Sequence, residues 1–117
     1  MTRFRIPHSH PGKHLKRLMD EWSLTQYRLA KDIDVPQTRI MEIIRGKRAI
    51  TADTAIRLSR YFNMTAEFWL NLQANYEIDQ ARTNVGQEAY QAIQMMPAIK
   101  ARLDSDEHES LTEASAP

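Results

Sequence analysis

Two amphipathic helices with almost no chain between them dominate the architecture that this sequence can adopt. One helix is predicted over residues 26–33, and a second opens at Pro36 and ends just before Gly46, which leaves only Asp34 and Val35 as the link. Proline suits the first turn of a helix because its missing N–H would be unpaired there, and glycine suits the residue just past a helix end. Each helix carries apolar residues at helical spacing, which predicts that the two pack against each other. These residues are Leu29, Ala30 and Ile33 in the first helix and Ile40, Ile43 and Ile44 in the second.

Three further helices are predicted around this pair. Apolar residues recur at helical spacing over about 11–22, 52–62 and 66–81, and no period-two pattern typical of a β-strand occurs. A threonine that can accept a hydrogen bond from an unpaired helix N–H precedes three of the five segments. These threonines are Thr25, Thr51 and Thr65. The sequence therefore predicts an all-α domain of five helices over residues 11–82.

The segments on either side of this domain carry weaker signals. Residues 1–10 are predicted to form a flexible arm. Residues 83–100 are predicted to form a short helical extension, with a helix over about 88–96 that ends before Pro97, and this extension is a candidate dimer contact. Residues 101–117 are acidic, polar and small, which predicts a disordered tail.

The composition favours one domain in the cytoplasm. A chain of 117 residues usually forms one domain, and 42% apolar residues suffice for a modest core. The absence of cysteine excludes disulfides and cysteine-based zinc sites, and a reducing cytoplasm is the simplest location. The first residues have no apolar run typical of a signal peptide, and no window approaches the roughly 18 apolar residues of a membrane span. We therefore expect no membrane association.

Charge is distributed unevenly along the chain. Residues 1–60 contain 13 lysines and arginines against 6 aspartates and glutamates, whereas residues 61–117 contain 3 against 9. The net charge of +1 therefore conceals a basic half of +7 and an acidic half of −6. A basic half favours a nucleic-acid partner, because cations attract the phosphate backbone. The alternative is that the charges only cluster on solvated faces.

The outer, N-terminal face of the second helix of the pair carries side chains suited to reading DNA. Gln37, Thr38 and Arg39 lie away from the isoleucine stripe. In the major groove glutamine can pair with adenine and arginine with guanine, and the start of the second helix of a helix–turn–helix unit lies at the bases. We therefore predict that these three residues read base edges. The alternatives are that Gln37 and Thr38 only favour a solvated helix start, and that Arg39 contacts a phosphate.

Four more residues are predicted to contact the DNA backbone. Gln26, at the start of the first helix of the pair, can present its side chain and nearby N–H groups to a phosphate. Arg45, Lys47 and Arg48 lie where the second helix ends and can neutralise phosphates. An ordinary exposed loop is the alternative for Lys47 and Arg48. The base-reading residues should set specificity, and these cations should set affinity and its salt dependence.

No pattern in the sequence indicates catalysis, a metal site or a cofactor. His8, His10 and His14 have an H-x-H-x-x-x-H spacing, but two of them lie in the predicted arm and no fourth ligand is close in sequence. No serine or threonine lies in a nucleophile motif, and the chain has only three glycines, without a glycine-rich phosphate loop. We expect a binding protein and not an enzyme.

Four short segments are typical of one protein family. They are the opening HPG, the loop RGKRAIT, the segment DTAIRLSRYF and the segment FWLNLQANYE. Through them, residues 11–81 resemble the HigA/VapI family of addiction-module antitoxins, within the wider group of helix-turn-helix domains like those of phage repressors. The last segment is the most specific, because a generic repressor does not need it. Family members often have glycine where Asp34 and Asn63 stand, and both replacements tolerate left-handed geometry.

The resemblance implies a homodimer that represses its own operon by binding a palindromic, double-stranded operator. It also implies a partner, a HigB-type toxin that is a small basic ribonuclease of the RelE-like kind, neutralised by complex formation. The positions that match DNA contacts in the wider group are Gln26, Gln37, Thr38 and Arg39, and those that match its basic loop are Lys47 and Arg48. Two alternatives remain: a stand-alone repressor without a toxin, and a protein-interaction module that has lost DNA binding.

The helix predicted over 66–81 has an apolar stripe with two interpretations. Phe68 and Leu72 are better explained as core, whereas Trp69 and Tyr76 suit a core position or a dimer contact equally well. If this helix pairs across a two-fold axis, two reading helices could lie about 34 Å apart, which is one turn of DNA.

Overall fold

In the computed structural model, which describes residues 8–114 and the side chains of residues 8–107, all regular secondary structure is α-helix. The helices are α1 (Pro11–Glu21), α2 (Gln26–Ile33), α3 (Gln37–Ile44), α4 (Ala52–Phe62), α5 (Ala66–Val85), α6 (Gln87–Gln91) and α7 (Pro97–Ala114). The chain divides into two compact units, Met1–Asn84 and Val85–Pro117. The predicted all-α fold is confirmed, and α1 to α5 correspond to the five predicted helices.

The core of the first unit is built from the apolar stripes of α1 to α4 and from Trp69 of α5. Helix α3 packs against α2 and α1, and α2 also packs against α4. The other buried apolar residues of this core are Leu15, Met19, Leu29, Ala30, Ile33, Ile40, Ile43, Ile50, Ala55 and Leu58. Ile40 and Ile43 are completely buried, and burying one such side chain stabilises a fold by roughly 1.5–3 kcal/mol. This ridge fixes which face of α3 points outward.

Side-chain caps and left-handed residues set the helix boundaries. The hydroxyls of Thr25 and Thr65 accept hydrogen bonds from N–H groups three residues later, at 3.1 and 3.2 Å. The hydroxyl of Thr51 accepts no such bond and instead lies 3.5 Å from the hydroxyl of Thr54. Asp34 and Asn63 end α2 and α4 with φ of 59° and 55°, in the left-handed region that these residue types tolerate. The predicted bounds of α2 and α4 are therefore confirmed.

The start of α1 is fixed by the HPG sequence. The Nδ1 atom of His10 accepts a hydrogen bond from the Gly12 N–H at 2.9 Å, so His10 caps the helix. A Cβ atom at Gly12 would lie 1.9 Å from the carbonyl oxygen of Ile43, so glycine is needed for this close approach of α1 to α3. His10 belongs to the arm predicted for residues 1–10, but the structure holds it in a helix cap. Residues 1–7 lie outside the described part.

The second unit differs from the prediction. In place of the helix predicted over 88–96, the structure has the shorter α6, which ends at Gln91. A separate helix, α7, begins at Pro97 and ends at Ala114. The structure therefore has helix in place of the predicted disordered tail at residues 101–114, while residues 115–117 lie outside the described part. The physical reason is propensity: a proline at the first position opens α7, and its alanine, leucine, lysine, arginine and glutamate residues favour helix even where apolar residues are few. None of the helices in the described part is both long and apolar enough to cross a membrane.

Candidate nucleic-acid interface

The residues of α3 divide between core and solvent as the sequence predicts. Ile40 and Ile43 point into the core, whereas Gln37 and Thr38 are exposed in the first turn. Pro36 precedes this turn with an extended backbone, so the helix starts abruptly. An amide and a hydroxyl at the exposed start of a helix can donate to and accept from base edges.

Arg39 is more constrained than its two neighbours. Its side chain is only 27% exposed, and its Nη1 atom donates to the Oδ2 atom of Asp53 in α4 at 2.9 Å. Hydrogen bonds from Arg57 and Arg39 hold the pKa of Asp53 below its ordinary value, so this carboxylate stays ionised at neutral pH. Sequence reasoning missed this contact, because Arg39 and Asp53 are 14 residues apart and an aspartate in a first helical turn has an ordinary explanation.

The loop between α3 and α4, residues 45–51, is held close to α3. The N–H of Lys47 donates to the carbonyl oxygen of Glu42 at 2.8 Å, and the Nε atom of Arg48 donates to the carboxylate of the same glutamate at 2.8 Å. The side chains of Arg45 and Lys47 are exposed. The structure thus brings the three predicted loop cations together on one ordered segment beside the end of α3.

Gln73 of α5 anchors the far end of this loop. Its Oε1 atom accepts a hydrogen bond from the Ile50 N–H at 2.9 Å, and its Nε2 atom donates to Glu77 at 3.0 Å. Both Gln73 and Ile50 are buried, and a buried polar group needs such a partner. Sequence reasoning missed this residue. The signal that could have found it is a glutamine four residues after Trp69, on the inner face of α5.

Gln26 lies in the first turn of α2 and is half-buried. The Thr25 hydroxyl beside it satisfies the N–H of Arg28. The other N–H groups of a first helical turn have no partner within the helix, and such groups favour anions. The position of Gln26 therefore suits a phosphate contact.

Trp69 and Tyr76 of α5, the two candidate dimer contacts, differ in how deeply they are buried. Trp69 is 0% exposed and belongs to the core, so its side chain offers no surface for the dimer contact that was one of its two interpretations. Phe68, assigned to the core from its spacing, is 39% exposed, because the buried line of α5 passes through Trp69 and Gln73 instead. Tyr76 is half-buried and packs edge-on against the His10 ring, with 4.9 Å between centroids.

A cavity of about 470 Å³ lies beside the loop at the start of α1. Its lining includes His10, Lys13 and Arg45. Partial burial lowers the pKa of His10 from its ordinary value, which favours the neutral ring that caps α1. The N–H and the ring Nδ1 of His8 contact the Asp79 carboxylate at 2.6 and 2.5 Å. Within residues 8–107, no three histidine or carboxylate side chains gather as a metal-binding group.

These features together define a class of protein. A helix pair with a short link, an inward isoleucine ridge and an outward polar face beside a cationic loop are the parts of a helix-turn-helix DNA-binding domain. Residues 15–69 match the family model described as helix-turn-helix. Over 77 residues the chain is 44% identical to virulence-associated protein I of Dichelobacter nodosus, a match that covers 65% of this chain and 71% of that protein.

Solved structures agree with this relationship. An addiction module antidote protein of the HigA family from Coxiella burnetii is 37% identical, with a TM-score of 0.72 over 78% of this chain and 100% of that one. The Pseudomonas aeruginosa antitoxin HigA, solved with the higBA promoter, is 34% identical, with a TM-score of 0.71 over 76% of this chain and 98% of that one. The chain therefore belongs to the HigA-like, or VapI, family of helix-turn-helix antitoxins, which are DNA-binding regulators and not enzymes.

Proposed function

We propose that this protein binds the operator of its own operon as a homodimer and neutralises a HigB-type, RelE-like ribonuclease toxin. The observation that carries the DNA-binding part is the exposed pair Gln37 and Thr38 at the start of α3, oriented outward by the buried Ile40 and Ile43. The Pseudomonas aeruginosa HigA, which shares this fold, is solved with the higBA promoter. That relative supports double-stranded operator DNA as the partner.

Three side chains of α3 read base edges in this proposal, and four others bind phosphates. The base-reading residues are Gln37, Thr38 and Arg39. The phosphate-binding residues are Gln26, Arg45, Lys47 and Arg48. Arg48 forms an ion pair with Glu42 at 2.8 Å, which offsets part of its positive charge. Lys47 therefore contributes more than Arg48 to the salt dependence of DNA binding.

Repression through a palindrome requires two copies of α3 about 34 Å apart. We assign the dimer contact to Tyr76 and to residues 83–100, where exposed apolar side chains are frequent. These side chains are Val85, Tyr90, Ile93, Met95, Met96 and Ile99. The acidic half of the chain, with a balance of −6, complements a basic toxin. The complex acts in the cytoplasm, where the operator lies.

Titration of labelled DNA from upstream of the gene tests the DNA-binding part. We expect the change Gln37→Ala to weaken binding about tenfold, since one good base contact contributes roughly 1–3 kcal/mol of discrimination. Asn71→Ala is the matched control, because Asn71 is an exposed amide side chain of α5 that belongs neither to the proposed DNA-binding residues nor to the proposed dimer contact. Unchanged affinity of the Gln37 variant, or no preference of the native protein for this DNA over a scrambled duplex, would contradict the proposal.

Co-expression with the neighbouring gene tests the toxin part. A short adjacent gene for a basic, RelE-like protein should yield a product that co-purifies with the antitoxin and cleaves RNA only when freed from it. If the neighbouring genes encode no such protein and the DNA titration shows specific binding, the stand-alone repressor replaces the antitoxin as the function.

A further inference from the structure

Asp53 lies at the centre of a chain of hydrogen bonds that joins three helices. On one side it accepts from the Nη1 atom of Arg39 in α3 at 2.9 Å. On the other side it accepts from the Nε atom of Arg57, one turn further along α4, at 3.0 and 3.2 Å. Each of its two oxygens is therefore engaged by a guanidinium group.

Arg57 is itself fixed to the backbone of the turn between α2 and α3. Its Nη1 atom donates to the carbonyl oxygens of Ile33 and Asp34 at 2.8 and 3.2 Å. Asp34 is the left-handed residue that ends α2. This chain of contacts is thus anchored on backbone carbonyl groups of the turn and not on another side chain.

A bidentate contact from arginine to guanine requires the plane of the guanidinium to be set correctly. A free arginine side chain has up to about 2 kcal/mol of rotamer entropy to lose when it is fixed. The bond to Asp53 uses one of five N–H donors of Arg39 and leaves the others available. A side chain that is ordered before binding loses less entropy when it meets a base.

We propose that Asp53, held by Arg57, is a positioning residue that orients Arg39 toward a guanine and so determines the base preference at one operator position. This inference rests on the proposed DNA-binding function. It assigns to an α4 residue that touches no base a role in sequence specificity. It also assigns to Arg39 a base contact instead of a phosphate contact.

The test replaces Asp53 and measures discrimination at each guanine of the operator. Each guanine in turn is replaced by adenine or by 7-deazaguanine, which lacks the N7 acceptor, and the affinity of each DNA is measured for each variant. For the native protein we expect a loss of about tenfold at the guanine that Arg39 reads. For the Asp53→Asn protein, replacing that same guanine should lower the affinity by no more than about twofold. Discrimination at the other guanines should be unchanged.

Two further variants separate positioning from a general effect on the fold. Arg39→Ala should abolish discrimination at the same guanine, and the double variant should show no further loss, as expected for two residues acting through one contact. Glu67→Gln is the matched control, because Glu67 is also an acidic residue in a first helical turn. Its discrimination should equal that of the native protein. If Asp53→Asn proves unfolded by circular dichroism, Asp53→Ser retains a residue type that favours a helix start and answers the same question.

Three outcomes would overturn the inference. Full discrimination by the Asp53→Asn protein would show that Arg39 needs no support from Asp53. Tighter binding with higher discrimination would show that Asp53 sequesters Arg39 from DNA. A uniform loss at all positions would show that the Asp53 contact only stabilises the fold. If the native protein itself does not prefer the operator, the proposed function fails first, and the inference fails with it.

Discussion

The two units of the chain use the same kinds of apolar residue in opposite ways. In the first unit the eight-residue helix α3 has Ile40 and Ile43 at 0% exposure, whereas in the second unit Ile93 is 74% exposed. An isolated helix of eight residues is too short to be stable in water, so α3 exists because its neighbours bury its inner face. Helix α7 is 18 residues long, yet its described side chains are all exposed. Helix length is therefore a poor guide to where stability resides, and buried area is a better one.

The sharpest test of this comparison changes isoleucine to alanine in each unit. Ile43→Ala removes completely buried methyl groups, and we expect a loss of about 2–5 kcal/mol in the free energy of unfolding. Ile93→Ala removes the same atoms from a position that is exposed within one chain, and at concentrations where the protein is monomeric it should change the free energy of unfolding by no more than about 0.5 kcal/mol. Urea denaturation followed by circular dichroism measures both. Equal effects at those concentrations would show that the second unit contributes a core of its own.

A smaller loss is expected from Gly12→Ala. Alanine normally stabilises a helix interior by roughly 1 kcal/mol relative to glycine. Here its Cβ atom would lie 1.9 Å from the Ile43 carbonyl oxygen, a backbone atom that cannot rotate away. We therefore expect a net destabilisation of about 1–3 kcal/mol, typical of overpacking. Arg17→Ala, at an exposed position of the same helix, is the control. A Gly12→Ala protein as stable as the native one would mean that α1 and α3 are free to move apart.

Local patterns in the sequence were sufficient to predict most of the first unit. The bounds of α2 and α4 agree with the structure because a threonine precedes each helix and Asp34 or Asn63 ends it. The outward direction of Gln37 and Thr38 follows from the isoleucine spacing alone. These features depend on residues fewer than about ten positions apart.

Contacts between distant residues could not be predicted in this way. The bond from Ile50 to Gln73 spans 23 residues, and the packing of His10 on Tyr76 depends on how α5 crosses the start of α1. Spacing alone could not fix the rotation of α5, which buries Trp69 and leaves Phe68 exposed. In the second unit, low apolar content argued for disorder, whereas helix propensity determined the structure at residues 101–114.

Protonation of His10, which caps α1, is expected to have a still smaller effect on the free energy of unfolding. Because burial lowers the pKa of His10, the unfolded chain binds a proton there more readily than the folded protein does. The contribution of His10 to the free energy of unfolding is therefore complete above the ordinary pKa of 6.5 and falls as the pH decreases below it. Protonation also removes the Nδ1 acceptor for the Gly12 N–H, and a helix cap contributes about 1 kcal/mol.

The variant His10→Asn tests this dependence, because asparagine can cap a helix but does not titrate. Urea unfolding at pH 7.5 and pH 5.5 should show a smaller loss on acidification for this variant than for the native protein. His14→Asn introduces the same residue within α1, outside the cap, and is the control. An unaltered pH dependence in the His10→Asn protein would show that its neutral ring contributes nothing to the cap.

The smallest effect is expected from a stop codon after Lys100, which removes residues 101–117. Every described side chain from 101 to 107 is exposed, so the free energy of unfolding should change by less than about 0.5 kcal/mol. Far-ultraviolet circular dichroism should nevertheless lose helical signal, since α7 extends to Ala114. A decrease of Tm by more than about 5 °C would instead correspond to a loss near 1 kcal/mol. If that decrease depended on protein concentration, the missing contacts would lie between copies, and if it did not, they would lie within one chain. Either result would contradict the division into a packed unit and an unpacked one.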